Sequence, residues 1–397
     1  MATTPRHRIH DVIVVGGRCA GAATAMLLAG RGHDVVVVDR AAFPSDTLST
    51  HAIARTGVVQ LARWGLLDEL LAAGTPAIRL TAFHSGDDHV TRPIKDRASV
   101  DLLVAPRRHV LDQIVAGAAV RAGAELQTGV TVRGVHLDDD GRVTGIHGDR
   151  DGQSFDLHAR FVVGADGLRS RIARSVDAPL TETRPSSAST HYAYYTGIDW
   201  PATEYFLGDR ALAGIFPTNG GEACIWICTP ADVAERTRRD HSGLEPAFEA
   251  LLAEGAPDLV DRLAGTRRTS PVRGVLRLPN QLRQPYGPGW ALVGDAGYHR
   301  DPITGQGISD AFIHAELLAD GLDQALRHVV DERSALASYH ARRDGALREI
   351  FDITCALAEF PPRATFMELQ KQLAQAIDAA AVALAAPPLP CLAARAA

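Results

Sequence analysis

Residues 11–40, DVIVVGGRCAGAATAMLLAGRGHDVVVVDR, restrict the possible folds of this chain more than any other segment. An apolar strand at Val12–Val15 meets a glycine turn, a helix of small residues covers Ala22–Leu28, and a second apolar strand, Val35–Val38, ends in Asp39. Such a βαβ unit places two parallel strands in one sheet, with the connecting helix on its face. The segment therefore predicts an α/β fold built on a parallel sheet.

The same segment carries most of a dinucleotide-binding fingerprint. Gly16 permits the tight turn, Gly21 lets the helix sit close to the sheet, and Asp39 is placed to accept hydrogen bonds from ribose hydroxyls. Arg18 stands where the second glycine of G-x-G-x-x-G belongs, so it either contacts a phosphate or turns to solvent. The residues predicted to bind a cofactor here are Gly16, Gly17, Arg18, Ala20, Gly21, Asp39 and Arg40.

A second motif lies far downstream, at residues 290–312, WALVGDAGYHRDPITGQGISDAF. An apolar strand ends in a carboxylate, and a turn rich in proline and glycine opens onto an amphipathic helix. Glycines let backbone N–H groups approach a ligand, and the start of a helix favours negative charge. The residues predicted to bind the cofactor in this motif are Gly294, Asp295, Pro302, Gly305, Gly307 and Ile308.

A third motif, FVVGADGLRSRI at residues 161–172, has an apolar strand, an acidic glycine turn and a basic helix start. Asp166 and Ser170 are residue types that also cap helices, so capping is the alternative interpretation. The combination of strand, GADG and Ser-Arg is more specific than a cap. We therefore predict that Asp166 belongs to the cofactor site.

With the three motifs in this order, the chain resembles the class A FAD-dependent monooxygenases, the group that contains para-hydroxybenzoate hydroxylase. Gly16–Gly21 with Asp39, Gly164–Ser170 and Gly294–Ile308 carry the resemblance. It implies a Rossmann-like FAD-binding domain of the glutathione-reductase type, an inserted mixed β-sheet substrate domain and C-terminal helices. The expected boundaries are 1–78, 101–178 and 270–330 for the FAD-binding domain, 79–100 and 179–269 for the substrate domain, and 331–397 for the helices.

The resemblance also implies individual roles. Asp295 belongs at the flavin ribityl chain, the Pro302–Ile308 turn at the isoalloxazine ring, and Asp166 where FAD meets the entering nicotinamide cofactor. Arg108, or Arg107 in the alternative register, belongs over the FAD diphosphate or ribityl region.

The backbone of Val132 belongs at the adenine. Tyr298 and Ser309 replace the usual His and Asn of the family. These departures indicate different contacts at the edge of the flavin ring, and with them a different substrate from that of the hydroxybenzoate enzymes.

Residues 180–268 have no phosphate motif and are rich in aromatic, alternating segments, with Asn219-Gly220 as a hairpin turn signal. They predict a β-sheet that covers the flavin. The loop at 45–51 precedes a helix predicted over Thr56–Leu71, and strands are predicted over Leu80–Val90 and Val100–Val104. The substrate pocket candidates are His51, His191, Tyr192, Tyr194, Tyr195, Phe216 and Trp226.

The resemblance implies that NADH or NADPH, visiting transiently or acting through a separate reductase, reduces FAD. Oxygen then adds at flavin C4a, and the hydroperoxide oxygenates a small aromatic or apolar substrate. No catalytic residue is assigned, although His51 and His299 are candidate acid/base groups if they are not simply structural. Hydroxylation, epoxidation, Baeyer–Villiger insertion and N-oxidation all suit such a site.

Three other functions are compatible with an FAD fold. A reductase or desaturase of the geranylgeranyl-reductase type would share the turn at Pro302–Ile308. A flavin halogenase is disfavoured because the WxWxIP signature is absent. A non-catalytic binding protein resembling the Rab GDP-dissociation inhibitors is disfavoured because Asp39, Asp166 and Asp295 are all retained.

Composition argues against several other classes of protein, namely nucleic-acid-binding, membrane-spanning, secreted and metal-binding proteins. The net charge of −6 gives no electrostatic basis for nucleic-acid binding. No apolar run approaches the length of about 20 residues that a membrane span requires, and the N-terminal residues lack a signal-peptide pattern. The five cysteines are scattered without zinc-site spacing, so no metal and a reducing, cytoplasmic setting are expected.

Overall fold

The computed structural model describes residues 8–86, 88–197 and 199–385. The sequence also predicts a last helix over Thr365–Ala386 and a PPLP tail that frays, and Ala386 and this tail lie outside the described ranges. In chain order the strands are β1 (Ile9–Val15), β2 (Val35–Asp39), β3 (Leu80–Ser85), β4 (Asp88–Pro93), β5 (Glu125–Thr128), β6 (Val130–Leu137), β7 (Val143–Arg150), β8 (Gln153–Gly164), β9 (Leu180–Arg184), β10 (Ala188–Thr196), β11 (Thr203–Gly208), β12 (Ala211–Pro217), β13 (Ala223–Pro230), β14 (Arg267–Arg268), β15 (Arg273–Leu276), β16 (Asn280–Arg283), β17 (Tyr286–Gly287), β18 (Trp290–Leu292) and β19 (Tyr298–His299). The helices are α1 (Cys19–Gly30), α2 (Arg55–Arg63), α3 (Leu67–Ala72), α4 (Arg108–Arg121), α5 (Arg171–Ser175), α6 (Ala231–Asp240), α7 (Leu244–Gly255), α8 (Pro257–Arg262), α9 (Gly307–Leu326), α10 (Glu332–Ala358) and α11 (Arg363–Ala385).

The first sheet is the parallel sheet that the βαβ segment predicts. Its order is β17-β18-β8-β1-β2-β5, and β18, β8, β1, β2 and β5 run parallel. The antiparallel hairpin β6–β7 joins it through β8. Val12 and Val14 pack with α1, α4 and α9 on one face, while Ile13 and Val15 pack with β6, β7 and α5 on the other. Because both faces are covered there, the segments Val12–Val15, Val35–Val38 and Phe161–Val163 of the central strands are apolar.

The second sheet has the order β14-β10-β13-β12-β11-β3-β4, with β15 also paired to β10. One of its faces packs on α6, α7 and α8, and the other looks toward α10 and the turn that precedes α9. A small third sheet has the order β19-β16-β9. The α/β fold class, with an inserted mixed sheet and C-terminal helices, is confirmed.

Three local predictions need correction. The helix predicted over Thr56–Leu71 is split into α2 and α3, because Gly65 adopts φ +72°. The strand predicted over Val100–Val104 is reduced to isolated bridges, since its partners belong to different segments. The second sheet extends past the boundary expected at residue 269, because β15 pairs with β10 as far as Leu276.

The helices α9, α10 and α11 cover the C-terminal side of the fold, and α11 packs back onto α2. An ion pair between Arg55 and Asp378 joins these last two helices, with 2.9 Å between the guanidinium Nε and the carboxylate. Among the described helices, none has both the length and the apolar character needed to cross a bilayer.

Candidate functional site

The three glycine turns predicted from the sequence meet at one edge of the first sheet. The strands β1, β8 and β18, which precede them, run parallel and end at this edge. A Cβ atom on Gly16 would lie 2.4 Å from the Ala165 carbonyl oxygen, and one on Gly294 would lie 2.8 Å from the Ala20 Cβ. The structure therefore brings segments from both ends of the chain into direct contact.

Glycine is required where α1 approaches the sheet. A Cβ atom on Gly21 would lie only 1.8 Å from the Gly16 carbonyl oxygen and 3.0 Å from the Ala165 Cβ. Gly16 itself has φ +106°, a conformation that L side chains rarely adopt. Arg18, at the N-cap, makes no side-chain capping bond to α1. The N–H groups of the first turn are thus left for an anion, as in phosphate-binding helices.

Asp39 lies at the end of β2, beside this turn. Its carboxylate accepts hydrogen bonds from the backbone N–H groups of Gly17 (2.7 Å) and Ala41 (2.8 Å), and only 8% of the residue is exposed. Both oxygens retain further lone pairs, so the predicted ribose contact fits this geometry. Arg40 is exposed next to it, and Val132 lies half-buried on β6, where β6 comes close to β2.

Asp112, on α4, is the centre of a charged cluster that the sequence does not predict. Its fully buried carboxylate accepts hydrogen bonds from the guanidinium groups of Arg18 (2.6 Å) and Arg108 (2.9 Å), and from the Cys19 thiol (3.2 Å). Arg18 also donates to the carbonyl (3.2 Å) and hydroxyl (3.0 Å) of Ser45. The interpretation that Arg18 simply turns to solvent is therefore wrong, and its phosphate contact stays a prediction.

The Asp112 cluster holds two guanidinium charges against one carboxylate, so it leaves net positive charge beside the first turn of α1. Burial raises the pKa of the Cys19 thiol, which keeps that group neutral. Arg108 also lies within electrostatic range of Asp295. Arg108 lies beside the first turn of α1, while Arg107 pairs with Asp46 and with Glu222 of the second sheet, so the cofactor contact of Arg108 stays a prediction. The net positive charge beside the first turn of α1 is suited to binding a diphosphate.

One carboxylate oxygen of Asp166 has a structural role, and the other is available to a ligand. One carboxylate oxygen accepts hydrogen bonds from the N–H groups of Arg171 (2.5 Å) and Ile172 (3.2 Å), at the start of α5. Ser170 caps the same helix by accepting from Ala173 N–H at 2.9 Å. The capping interpretation is therefore correct, but the other oxygen of Asp166 is buried without a partner among the described residues. Burial also raises the pKa of this carboxyl group. Buried polar atoms are usually hydrogen-bonded, so a polar atom of a ligand would satisfy this oxygen.

The turn before α9 is open at its two glycines. A Cβ atom on Gly305 or Gly307 would meet none of the described residues within 4 Å, and Asp295 is exposed at the edge of the turn. The α9 helix has 20 residues, and no side chain caps its N-terminus. Its first N–H groups are available to stabilise negative charge on the flavin pyrimidine. Pro302 begins a short 3₁₀ turn, and Ile308 is buried in the first turn of α9.

Buried ionisable groups flank the turn at Pro302–Ile308, here called the flavin turn, and the sequence does not predict them. Arg300 pairs with Asp310 at 2.7 Å, and Asp301 accepts a hydrogen bond from Ile303 N–H at 3.0 Å. Burial raises the pKa of Asp301 to about 6 and that of Asp310 to about 6. His299 donates from Nδ1 to the Pro279 carbonyl at 2.6 Å, which supports the structural interpretation of this histidine.

Four predicted pocket residues lie on one face of the second sheet, here called the aromatic face: Tyr192, Tyr194, Phe216 and Trp226. They are buried in one cluster with Ile303 of the flavin turn. His191 and Tyr195 alternate with them along β10 and lie on the opposite face. The prediction that His191 and Tyr195 line the same pocket is therefore wrong, because successive side chains of a strand point to opposite faces.

The loop at 45–51 connects the aromatic face to the cofactor side through hydrogen bonds and ring contacts. His51 hydrogen-bonds through Nε2 to the Tyr194 hydroxyl and stacks on that ring, with centroids 5.4 Å apart. The Tyr192 hydroxyl accepts from Ser49 N–H at 3.1 Å. Arg107 lies 3.8 Å from the Tyr194 ring centroid and forms ion pairs with Asp46 and Glu222. Three of the predicted pocket residues, His51, Tyr192 and Tyr194, therefore belong to one connected network.

His51 is expected to make protein stability depend on pH. Burial, reinforced by the charges of Arg108 and Arg107, lowers the pKa of His51 to about 3. Below the unfolded-state pKa of about 6.5, only the unfolded chain takes up this proton. Above about pH 6.5, His51 therefore does not make the free energy of unfolding depend on pH. Below it, the free energy of unfolding falls by about 1.4 kcal/mol per pH unit as the pH decreases toward 3.

Urea unfolding of the FAD-loaded protein at pH 7 and pH 4.5 tests this. Between the two pH values, wild type should lose about 2–3 kcal/mol more unfolding free energy than His51→Gln. His147→Gln, which removes an exposed histidine, is the control and should follow wild type. Equal pH dependence of wild type and His51→Gln would contradict the proposed neutral state of His51.

Comparison with known proteins identifies the family. The chain belongs to the family described as FAD binding domain, whose model matches residues 10–354. The resemblance to the class A flavoprotein monooxygenases is confirmed, and the protein is an FAD-dependent oxidoreductase. The convergence of the three motifs, the open space at the glycine turn and the unpartnered oxygen of Asp166 all fit bound FAD.

Its relatives carry different activities. A digeranylgeranylglycerophospholipid reductase of Methanopyrus kandleri is 26% identical over 391 residues, covering 93% of this chain and 90% of the relative. Rifampicin monooxygenase of Rhodococcus hoagii is 27% identical over 360 residues, covering 88% and 71%. Among solved structures, a triple mutant of the flavin-dependent brominase Bmp2 has a TM-score of 0.81 at 19% identity and covers 95% of each chain. The structural likeness supports the fold.

Proposed function

We propose that this oxidoreductase is a monooxygenase that inserts one oxygen atom from O2 into a small aromatic or apolar substrate. NADH or NADPH, bound transiently or acting through a separate reductase, is the electron donor. One substrate molecule, O2, NAD(P)H and a proton give the oxygenated product, NAD(P)+ and water. The observation that carries this proposal is the buried aromatic face, whose four side chains are uncharged and pack in one cluster with Ile303 of the flavin turn.

The residues of the aromatic face exclude water and remain neutral. Bound FAD, once reduced, supplies the electrons that activate oxygen. Burial raises the pKa of Tyr192 to about 12, so its phenol keeps its proton, and the low pKa keeps His51 uncharged at neutral pH. Such a dry surface limits the loss of activated oxygen as hydrogen peroxide and suits a planar or apolar substrate.

The residues of the cofactor site bind the FAD and stabilise its charge. Arg18 and Arg108 of the Asp112 cluster bind the diphosphate beside α1, and Asp39 orients the ribose. Asp295 holds the ribityl chain, and the N-terminus of α9 stabilises negative charge on the reduced ring. None of these residues needs to transfer a proton to the substrate. This agrees with a chemistry in which the cofactor performs the redox steps and the protein orients the reactants.

A reductase that adds two hydrogen atoms to an alkene is the second candidate. It is supported by the match to the digeranylgeranylglycerophospholipid reductase, which spans 93% of this chain. A halogenase is less well supported, because the WxWxIP signature is absent from the sequence. Reduction consumes NAD(P)H without oxygen, whereas oxygenation requires it, so the two reactions are separable by experiment.

Product analysis under oxygen-18 gas tests the proposal. Aromatic and apolar candidates that accelerate NAD(P)H oxidation are first selected, and their products are then examined by mass spectrometry. We expect one labelled oxygen atom per product molecule and no product under nitrogen. A product that forms under nitrogen and has gained two hydrogen atoms would instead establish the reductase.

A further inference from the structure

The second sheet ends in an edge strand that no other described element covers. β4 is the last strand in the sheet order, and all six of its residues are exposed. Within the described ranges it pairs with β3 alone. An edge strand presents unpaired N–H and C=O groups and therefore pairs readily with another strand.

Hydrogen bonding to β3 fixes which backbone groups of β4 are free. Ile94 N–H donates to the Arg79 carbonyl at 2.9 Å, in register with the β3–β4 ladder. Backbone groups alternate in direction along an antiparallel pair, so the even-numbered residues of β4 bond to β3. The N–H and C=O groups of His89 and Thr91 point outward. Pro93, which has no N–H, also occupies an outward position, as edge strands allow.

The side chains of β4 form a self-complementary sequence. Asp88 and Arg92 lie two residues on either side of Val90, on the same face of the strand. Neither charge has an ion-pair partner in the part of the chain that the structure describes. Val90 is 41% exposed and lies opposite Phe83, which is 50% exposed and stacks on Tyr205 with centroids 5.4 Å apart. The edge thus offers apolar surface between two opposite charges.

We infer that β4 pairs antiparallel with β4 of a second copy of this chain, about a two-fold axis at Val90. Asp88 then lies opposite the partner's Arg92, and the second charge pair follows by symmetry. These are non-hydrogen-bonded positions, where facing side chains come closest. His89 and the partner's Thr91 exchange both of their outward backbone hydrogen bonds. Such an isologous contact closes as a dimer and joins the two sheets into one.

The order of charges favours a second copy over an unrelated strand. Reading β4 in the antiparallel direction brings acid opposite base at both positions, whereas a parallel pairing in the same register places like charges together. Val90 also meets its own equivalent at the axis, and the Phe83 of each copy lies beside its own Val90, on the side away from the axis. An unrelated partner would need to supply a matching pattern of its own. The dimer does not depend on the reaction that the protein catalyses.

Charge reversal on the full-length, FAD-loaded protein tests the dimer by sedimentation velocity at low salt. Wild type should be dimeric at micromolar concentration. Asp88→Arg or Arg92→Asp alone should raise the dimer dissociation constant about tenfold or more, because like charges then face each other. The double variant Asp88→Arg with Arg92→Asp should restore the dimer. Mixing the two single variants should produce a heterodimer.

Arg150→Asp, an exposed charge reversal at the end of β7, is the matched control and should leave the dimer unchanged. A wild type that stays monomeric throughout the concentration range would overturn the inference. So would single variants that dimerise as tightly as wild type, since the contact would then lie elsewhere. Failure of the double variant to restore association would also reject the antiparallel pairing.

Discussion

Replacing Asp112 by Asn is expected to lower the free energy of unfolding by about 3–5 kcal/mol. The fully buried carboxylate of Asp112 balances Arg18 and Arg108, and without its charge Arg108 remains buried beside Arg18 with no counter-ion. Breaking a buried ion pair from one side costs far more than replacing the whole pair by apolar groups. The loss is a large part of the roughly 5–15 kcal/mol that usually stabilises a domain.

Urea unfolding measures this loss against a surface ion pair of similar geometry. Asp149→Asn removes the partner of Arg133, at 2.7 Å but largely exposed, and should cost about 0–1 kcal/mol. The double variant Asp112→Leu with Arg108→Met should be more stable than Asp112→Leu alone, because it leaves no unpaired charge at Arg108. Equal costs for Asp112→Asn and Asp149→Asn would contradict the role assigned to the Asp112 cluster.

Replacing Gly21 by Ala is expected to weaken FAD binding about 100-fold or more, which corresponds to about 2.7 kcal/mol. The added Cβ atom would lie 1.8 Å from the Gly16 carbonyl oxygen, so α1 must move away from the sheet. That movement displaces the helix N-terminus and Arg18 from the diphosphate position. Titration of apoprotein with FAD, followed by flavin fluorescence, gives the affinity.

Gly345→Ala is the matched control for this substitution. Gly345 lies in α10, and a Cβ atom there would meet nothing within 4 Å. Alanine favours helix more than glycine by about 1 kcal/mol, so this variant should be as stable as wild type or more stable. It should also bind FAD unchanged. If Gly21→Ala kept the wild-type affinity, the close approach of α1 would have no part in binding.

The sequence predicts the cofactor side of this protein well because its motifs are local. A glycine turn between an apolar strand and a helix has one main structural solution, and parallel strands bring such turns to a common edge. Asp39, Asp166 and Asp295 follow or end apolar strands, so their positions could be predicted without knowing the rest of the fold. The sequence also predicts that the aromatic residues of the second sheet face the flavin, but it does not separate the residues of the aromatic face from those of the opposite face.

The groups that the sequence did not predict depend on tertiary contacts. Asp112 has no motif of its own, and its partner Arg18 is 94 residues away. Arg300 and Asp310 are close in sequence, but only the packing of the flavin turn against α9 and α10 buries them as a pair. His191 and Tyr195 are a different case, because the two-residue alternation along β10 alone places them on the face opposite Tyr192 and Tyr194.

The central claim is that three distant segments bind one FAD molecule, and a stoichiometric titration tests it most directly. Apoprotein should take up one FAD per chain. Single substitutions in each segment, Gly21→Ala, Asp166→Ala and Asp295→Ala, should each raise the Kd for that same molecule. A protein that takes up no flavin, or whose flavin affinity responds to changes in only one of the segments, would contradict the account.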